Sequence, residues 1–392
     1  MTLVGGAGAA LLIFLFAGSE GGRKLELAVE DVLESDPLTG LELDAPNIGY
    51  RRGFTIRSDD DRFSVRLNGR VEPRYTYRDR DDAEDISAFR VRRARLLFRG
   101  HIFQPELLYR IQVSLTQSSD EGRTLLQDAY LSWQPVEGLS VRAGQFRAPF
   151  GRQDLVPSHR LQFSERTVPM RFFGLGRQIG MLGSYREPDG LYDVRAGIFN
   201  GDGEDLQGAM NDNNEMMFVA RAQWNPTGAW QRREGDLEPS DRPAFSFGSS
   251  FVFNPEGPRR FSGTDTEVDT VGYGVDGACR YAGTFLTAEL FRRRTDEDGG
   301  SGFDSIDENG FHVQGGVFLI PKKLEAAARY SKLHVDDGAL DRETEEMGLS
   351  LAYFIVDDRF KFRLEWLQIE TDRDMESQDT EQIVRFQWVL SF

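Results

Sequence analysis

Arginine is the residue type whose placement in this sequence points to chemistry. Arg66, Arg70, Arg74 and Arg78 recur every four residues, Arg93, Arg95 and Arg99 share one parity, and Arg110 follows. A second group, Arg147, Arg152, Arg160, Arg166, Arg171 and Arg177, falls within or beside residues 148–177. A guanidinium is permanently charged, and its planar fork of donors matches carboxylate or phosphate oxygens bidentately. Rows of such groups are the device expected where oxyanions are drawn in and passed on. The plain alternative is that they neutralise carboxylates such as Glu72, Asp128, Asp154 and Glu165. On that reading Glu165 and Arg166 are a structural pair that anchors its segment.

Other chemistries have less to stand on. The four histidines are His101, His159, His312 and His334, and only His159 lies among the arginines of 148–177. The sequence has no Gly-x-Ser-x-Gly, His-Glu-x-x-His or phosphate-cradling Gly-Lys-Ser/Thr motif. No catalytic residue is assigned; a lipase whose Ser–His pair forms only in space stays as an alternative. The single cysteine, Cys279, excludes a disulfide framework and any multi-cysteine metal cluster. No metal and no cofactor are expected. With 47 basic against 64 acidic residues and a net charge of -17, a general nucleic-acid binder is excluded, because such binding rests on phosphate neutralisation.

Something must hold these arginines in line, and the dominant period of the chain says what. In residues 63–78, Phe63, Val65, Leu67, Val71, Tyr75 and Tyr77 alternate with Ser64, Arg66, Asn68, Arg70, Glu72, Arg74 and Arg78. Successive strand side chains point to opposite faces, so this is one apolar wall and one charged wall. The stretch is longer than an ordinary soluble strand of roughly 3 to 10 residues. Further strands are expected near 87–103, 106–117, 125–135, 139–148, 178–187, 191–200, 215–225 and 244–254. More follow near 269–282, 284–295, 308–321, 323–335, 344–356, 359–371 and 381–392. That makes sixteen, an even number suited to an antiparallel membrane barrel.

The mean hydropathy of -0.46 excludes a bundle of membrane helices but not such a barrel, whose strands are apolar only at alternate positions. Short turns are expected at 134–138, 187–190, around Pro226 to Gly228, at Gly283, at 321–323 and at 357–359. Long polar loops alternate with them. Trp133, Trp224, Trp366 and Trp388 are placed near strand ends, where amphipathic rings favour the membrane interface.

Residues 1–19 read as a signal peptide: an apolar run from Leu3 to Ala17, then small residues. No Lys or Arg precedes the run. Residues 20–52 read as an acidic periplasmic lead-in and 53–392 as the barrel. Charge divides along the chain: residues 50–195 hold 25 basic against 19 acidic side chains, the remainder 22 against 45. The loops near Asp79 to Asp85, Thr295 to Glu308 and Val335 to Glu346 are dense in carboxylates. They are read either as solvated loops or as sites bridged by divalent cations to lipopolysaccharide.

Several stretches resemble the porin O and P family, the phosphate-selective porins. They are Phe89-Arg90-Val91-Arg92-Arg93-Ala94-Arg95, Asp128-Ala129-Tyr130-Leu131 and Gly144-Gln145-Phe146-Arg147-Ala148-Pro149-Phe150-Gly151. Ser164-Glu165-Arg166, Gly176-Arg177-Gln178-Ile179-Gly180 and Gly197-Ile198-Phe199-Asn200-Gly201 continue the match. The carboxyl-terminal half matches in strand pattern, and its alternating end at Phe392 resembles the assembly signal of Gram-negative outer-membrane proteins.

The resemblance implies an all-β protein: a 16-stranded antiparallel transmembrane β-barrel with an inward-folded constriction loop at 148–177, exported to the Gram-negative outer membrane and assembled as a homotrimer. Its partners would be inorganic anions, phosphate or similar, together with outer-membrane lipid and lipopolysaccharide. The expected substrate path comprises Arg66, Arg70, Arg74, Arg93, Arg95, Arg99, Arg110, Arg147, Arg152, Arg160, Arg166, Arg171 and Arg177. A general-diffusion porin with weak selectivity is the competing reading. Phosphate-specific relatives carry lysines at the constriction. Here the five lysines, Lys24, Lys322, Lys323, Lys332 and Lys361, all lie outside 148–177.

Overall fold

The alternation resolves into strands that carry carbon on one side and charge on the other. The computed structural model describes residues 48–50, 53–81, 83–116, 126–201, 215–258, 267–297, 305–336, 341–373 and 376–392. Residues 1–19, expected to be a signal peptide, and most of 20–52, expected to be a lead-in, lie outside these residues, as do much of the long polar loops.

A short hairpin, β1 (Ile48–Tyr50) and β2 (Phe54–Arg57), comes first. Then follow β3 (Ser64–Arg80), β4 (Ile86–Ile102), β5 (Gln104–Ser114), β6 (Leu126–Val136), β7 (Leu139–Arg147), β8 (Arg177–Arg186), β9 (Tyr192–Phe199) and β10 (Met217–Trp224). The second half holds β11 (Ala244–Pro258), β12 (Glu267–Tyr281), β13 (Thr284–Glu297), β14 (Ile306–Ile320), β15 (Leu324–Asp336), β16 (Asp341–Val356), β17 (Phe360–Arg373) and β18 (Glu376–Ser391). From β3 to β18 each strand pairs antiparallel with the next, and β18 returns to β3 with Gln387 opposite Arg74. The result is a closed 16-stranded antiparallel barrel, and closure removes the unpaired edges that no membrane sheet can expose.

The two faces are inverted relative to a soluble protein. Leu286, Leu290, Val313, Val317 and Leu349 are exposed, while their chain neighbours Thr287, Glu289, Gln314 and Ser350 are buried. Apolar side chains therefore form the outer surface and polar ones the interior. Trp133, Trp224, Tyr185, Tyr192, Tyr281 and Phe247 are exposed near strand ends at one mouth, where the Trp224 ring lies tilted against Phe247 with centroids 5.8 Å apart. That is an aromatic girdle at an interface. Trp366 does not join it. It sits in the middle of β17, opposite Leu349, because its place along the strand and not its ring type sets its height.

The short connections gather at this mouth. Phe103, Ala282, Lys322 and Asp357 adopt positive φ there, which closes a turn in one or two residues. The expected short turn around Pro226 to Gly228 is corrected: β10 and β11 are joined by residues 225–243. Pro226-Thr227-Gly228 does turn the chain, with the Gly228 amide donating to the Asn225 carbonyl, but the next strand begins only at Ala244.

The barrel seam involves both ends of the described chain. The Gly69 amide donates to the Phe392 carbonyl and the Phe392 amide to the Gly69 carbonyl, both at 3.0 Å. The Phe392 ring lies in the space above Gly69. Beyond that pair β2 takes over the same edge of β3, with Phe54 opposite Leu67.

Gly144 on β7 has φ of 125° and sits against the Ala129 carbonyl and the Tyr130 backbone of β6. A β-carbon there meets both steric and dihedral strain. We expect Gly144→Ala to lower stability by roughly 1–3 kcal/mol, read as an earlier urea midpoint of the refolded barrel in micelles.

Candidate functional site

Residues 148–176 leave the mouth opposite the short turns and return to it at Arg177, which is the first residue of β8. They contain two short helices, α1 (Arg152–Leu155) and α2 (Val168–Phe173), and a 3-10 turn at Ser158–Arg160. Thr167 caps α2 by accepting from the Met170 amide. The segment packs against the inward faces of the second half of the barrel. Phe150, Met170 and Phe173 join Phe291, Val252 and Leu333 in one apolar cluster, and Phe163 joins Ala327, Leu367 and Ile383 in another.

Carboxylates fix its backbone. Glu289 accepts from the amides of Arg152 at 2.6 Å and Gln153 at 2.7 Å. Glu346 accepts from the Val168 amide at 3.0 Å, and Glu365 accepts from the Ser164 amide and from its hydroxyl at 2.6 Å. Arg329 and Arg363 donate to the carbonyls of Glu165 and Leu161. The 225–243 connection meets the segment from the other mouth. Glu234 accepts from the Gln162 amide at 2.7 Å and from the Gln153 side chain at 2.9 Å.

The first half of the barrel is left open. A cavity of about 1990 Å³ lies between strands β3–β9 on one side and the two inserted segments on the other. Fifteen arginines and nine carboxylates line it, with no lysine. Arg66, Arg99 and Arg110 are cross-strand neighbours on β3, β4 and β5, and Arg70 stands opposite Arg95. Like charges directly opposite one another destabilise a sheet. Arg99 is exposed to the cavity, while Arg66 donates to the Thr55 hydroxyl at 3.1 Å. Arg110 and Arg177 share Asp128, each at 2.8 Å, and Arg147 and Arg166 share Asp154. Arg160 is exposed at the same wall, 3.9 Å from Asp358.

Four of the expected path residues do not line this cavity. Arg74 pairs with Glu165 at 2.7 Å and donates to Gln387; Arg93 pairs with Glu72 at 2.9 Å and Glu165 at 3.1 Å. Arg152 is buried on Asp276 and the Ser246 hydroxyl. Arg171 is exposed on α2, away from the cavity. Alternation puts a side chain inside the barrel but does not say whether it meets water or another wall.

The Glu165 knot has a local cause. A register shift between Glu72 and Pro73 leaves Arg92 as an extra residue in β4, so Arg92 and Arg93 both turn inward. Glu165 then meets Arg74, Arg92 and Arg93 together. Burial would raise its pKa, but Arg93, Arg74 and Arg92 override that and hold it well below the ordinary 4.5. Arg70 donates to His159 Nδ1 at 2.6 Å, which requires the neutral ring. Enclosure first, and then Arg70, hold the His159 pKa well below 6.5.

Sequence reasoning passed over Arg142, Arg186, Arg195, Arg232 and Arg233, all of which line the cavity. Arg195 was accessible to it, since Asp193 and Arg195 share a parity in the strand expected at 191–200. Arg232 and Arg233 were not, because 225–243 has no alternation. Among the described residues no cluster of three His, Cys, Asp or Glu is placed to hold a metal ion.

Removing the knot's anion takes from Arg74, Arg92 and Arg93 the carboxylate they share, leaving Glu72 on Arg93 as the carboxylate still in contact. Glu165→Gln should cost about 3–5 kcal/mol, measured by denaturant unfolding in micelles. A depressed carboxylate pKa contributes stability above the unfolded value and loses it as pH falls through the folded value. The difference between wild type and Glu165→Gln should therefore be constant above pH 4.5 and narrow only below it.

Comparison with known proteins agrees with this architecture. An anion-selective porin from Comamonas acidovorans superposes with a TM-score of 0.57 at 11% identity, over 84% of this chain and 99% of that one. The outer membrane channel DcaP of Acinetobacter baumannii gives 0.54 at 14% identity, over 86% and 99%. The trimer form of OmpT, an outer membrane protein of Vibrio cholerae, gives 0.53 at 13%, over 83% and 99%. At these identities the likeness is one of fold. No curated protein matches the sequence. The family model described as phosphate-selective porin O and P matches residues 65–392, and the chain belongs to that family of outer-membrane porins.

Proposed function

We propose that the protein is a passive porin that favours small anions, phosphate or a related oxyanion, through the arginine-lined side of its lumen. The observation that carries this reading is the excess of fifteen arginines over nine carboxylates around the cavity, with the Arg66–Arg99–Arg110 row at its wall. Anions enter a narrow passage when fixed positive charge offsets their lost hydration. Transport is diffusion between weak successive sites, because a tight site would not release its ion. Residues 148–176 act as the constriction, confining ions to the basic wall. The protein is not an enzyme in this reading.

The expected partners are inorganic anions and the outer-membrane lipid and lipopolysaccharide around the barrel. A homotrimer is proposed in line with the family and with the trimeric form of one neighbour. Phosphate preference has narrower support, since no lysine lines the cavity and Arg does not replace Lys as a phosphate ligand one for one. Weak general-diffusion selectivity is the second reading, favoured by Asp128 and Asp154, each of which offsets part of two arginine charges.

Reversal potentials in planar bilayers with asymmetric potassium chloride decide between them. Wild type should be anion-selective, with phosphate reducing the chloride current; a cation-selective channel indifferent to phosphate overturns the proposal. Arg66→Glu with Arg99→Glu should lower the anion-to-cation permeability ratio, and an unchanged ratio would place the filter elsewhere.

A further inference from the structure

The 225–243 connection carries Arg232 and Arg233 into the lumen from the short-turn mouth. Asp193 on β9 is buried and stands at the centre of three guanidiniums. Arg186 donates to it from Nε at 3.1 Å and from a terminal nitrogen at 2.8 Å. Arg195 donates at 2.7 and 2.5 Å, and Arg232 lies at 3.6 Å. One carboxylate against three guanidiniums leaves two positive charges over. The outer two arms are open to cavity water: the Arg186 side chain is 59% exposed and that of Arg232 44%.

The third arm is held deliberately. Arg280 donates to the carbonyls of Gln231 and Arg233 at 3.0 and 3.1 Å, clamping the backbone on both sides of Arg232. Arg280 itself stacks on Trp230 at 4.0 Å. Glu234, one residue beyond the clamp, is tied to the constriction segment. Arg142, stacked on Tyr130 at 4.3 Å, adds a further positive charge to the same cavity wall.

We propose that Arg186, Arg195 and Arg232, gathered on Asp193, form a second anion station at the short-turn mouth that prefers divalent oxyanions to monovalent ones. A tetrahedral dianion matches the two surplus charges and offers enough oxygens for two guanidinium forks, whereas a monoanion leaves one charge unanswered. The station rests on the anion-passage reading but is separate from the Arg66–Arg99–Arg110 row, which lies on β3–β5.

The test is inhibition of chloride current in planar bilayers by sodium sulfate, a dianion, against sodium nitrate, a monoanion. Sulfate should inhibit wild type at concentrations where nitrate does not, and more strongly from one side of the membrane. Arg186→Gln with Arg232→Gln should raise the half-inhibiting sulfate concentration by about tenfold or more, the scale of losing a charge-assisted contact. Asp193→Asn, which adds to the surplus, should lower it, and Arg232→Lys should restore part of the sulfate preference lost in Arg232→Gln. Equal inhibition by sulfate and nitrate, or unchanged sulfate inhibition in the double variant, overturns the station while wild type stays anion-selective. A cation-selective wild type overturns the underlying reading instead.

Discussion

Everything inside this barrel depends on carboxylates accepting hydrogen bonds from the backbone of residues 148–176. A chain segment folded into a lumen carries amide groups that no strand ladder satisfies, and each left unpaired is costly. Here Glu289, Glu346, Glu365 and Glu234 take those amides. Hydrogen bonds to charged groups contribute about 1.5–3 kcal/mol each, more than neutral ones. Two of these buried carboxylates meet cations in turn, Glu346 with Arg329 and Glu365 with Arg363 and Arg385 close by. At Glu346 and Glu365 the two requirements, paired amides and paired charges, are met by one set of contacts.

The charge asymmetry of the sequence has two sources. The second half of the chain forms the anchoring wall, where Glu289, Glu346 and Glu365 turn toward the inserted segment, and its loops and the lead-in are dense in carboxylates. The basic first half is the free wall, where arginines stand opposite arginines. A sheet would not hold Arg66, Arg99 and Arg110 in register for its own stability. Their mutual repulsion is offset by water in the cavity and by the strand ladder. A net charge of -17 is then no obstacle to a basic passage, since much of the negative charge is directed elsewhere.

The barrel was legible because the period of two is imposed by lipid outside and water inside, and few other environments produce it over so many strands. The arginines of β3, β4 and β5 could be placed inside on that basis. Their separate fates could not: Arg70 and Arg74 share a face, yet one lines the cavity and the other is locked on Glu165. What separates them is the position of residues 148–176, a tertiary fact with no period. Arg92 escaped because a bulge breaks parity by one residue. The 225–243 connection escaped because a Pro-Thr-Gly turn signals where a chain bends and not how long it wanders afterwards.

The seam between Phe392 and Gly69 has a consequence for how such a protein comes to exist. Asn68 and Phe392 are in hydrogen-bond contact across 324 residues of sequence. Contacts this remote are reached late, after the entropy of closing the intervening loop has been met. Until that pairing forms, the facing edges of β3 and β18 are open to association with other chains. Time spent unclosed is the period of greatest exposure to aggregation, and the short β1–β2 hairpin, extending the same edge of β3, lies where it can keep that edge from pairing with a stranger.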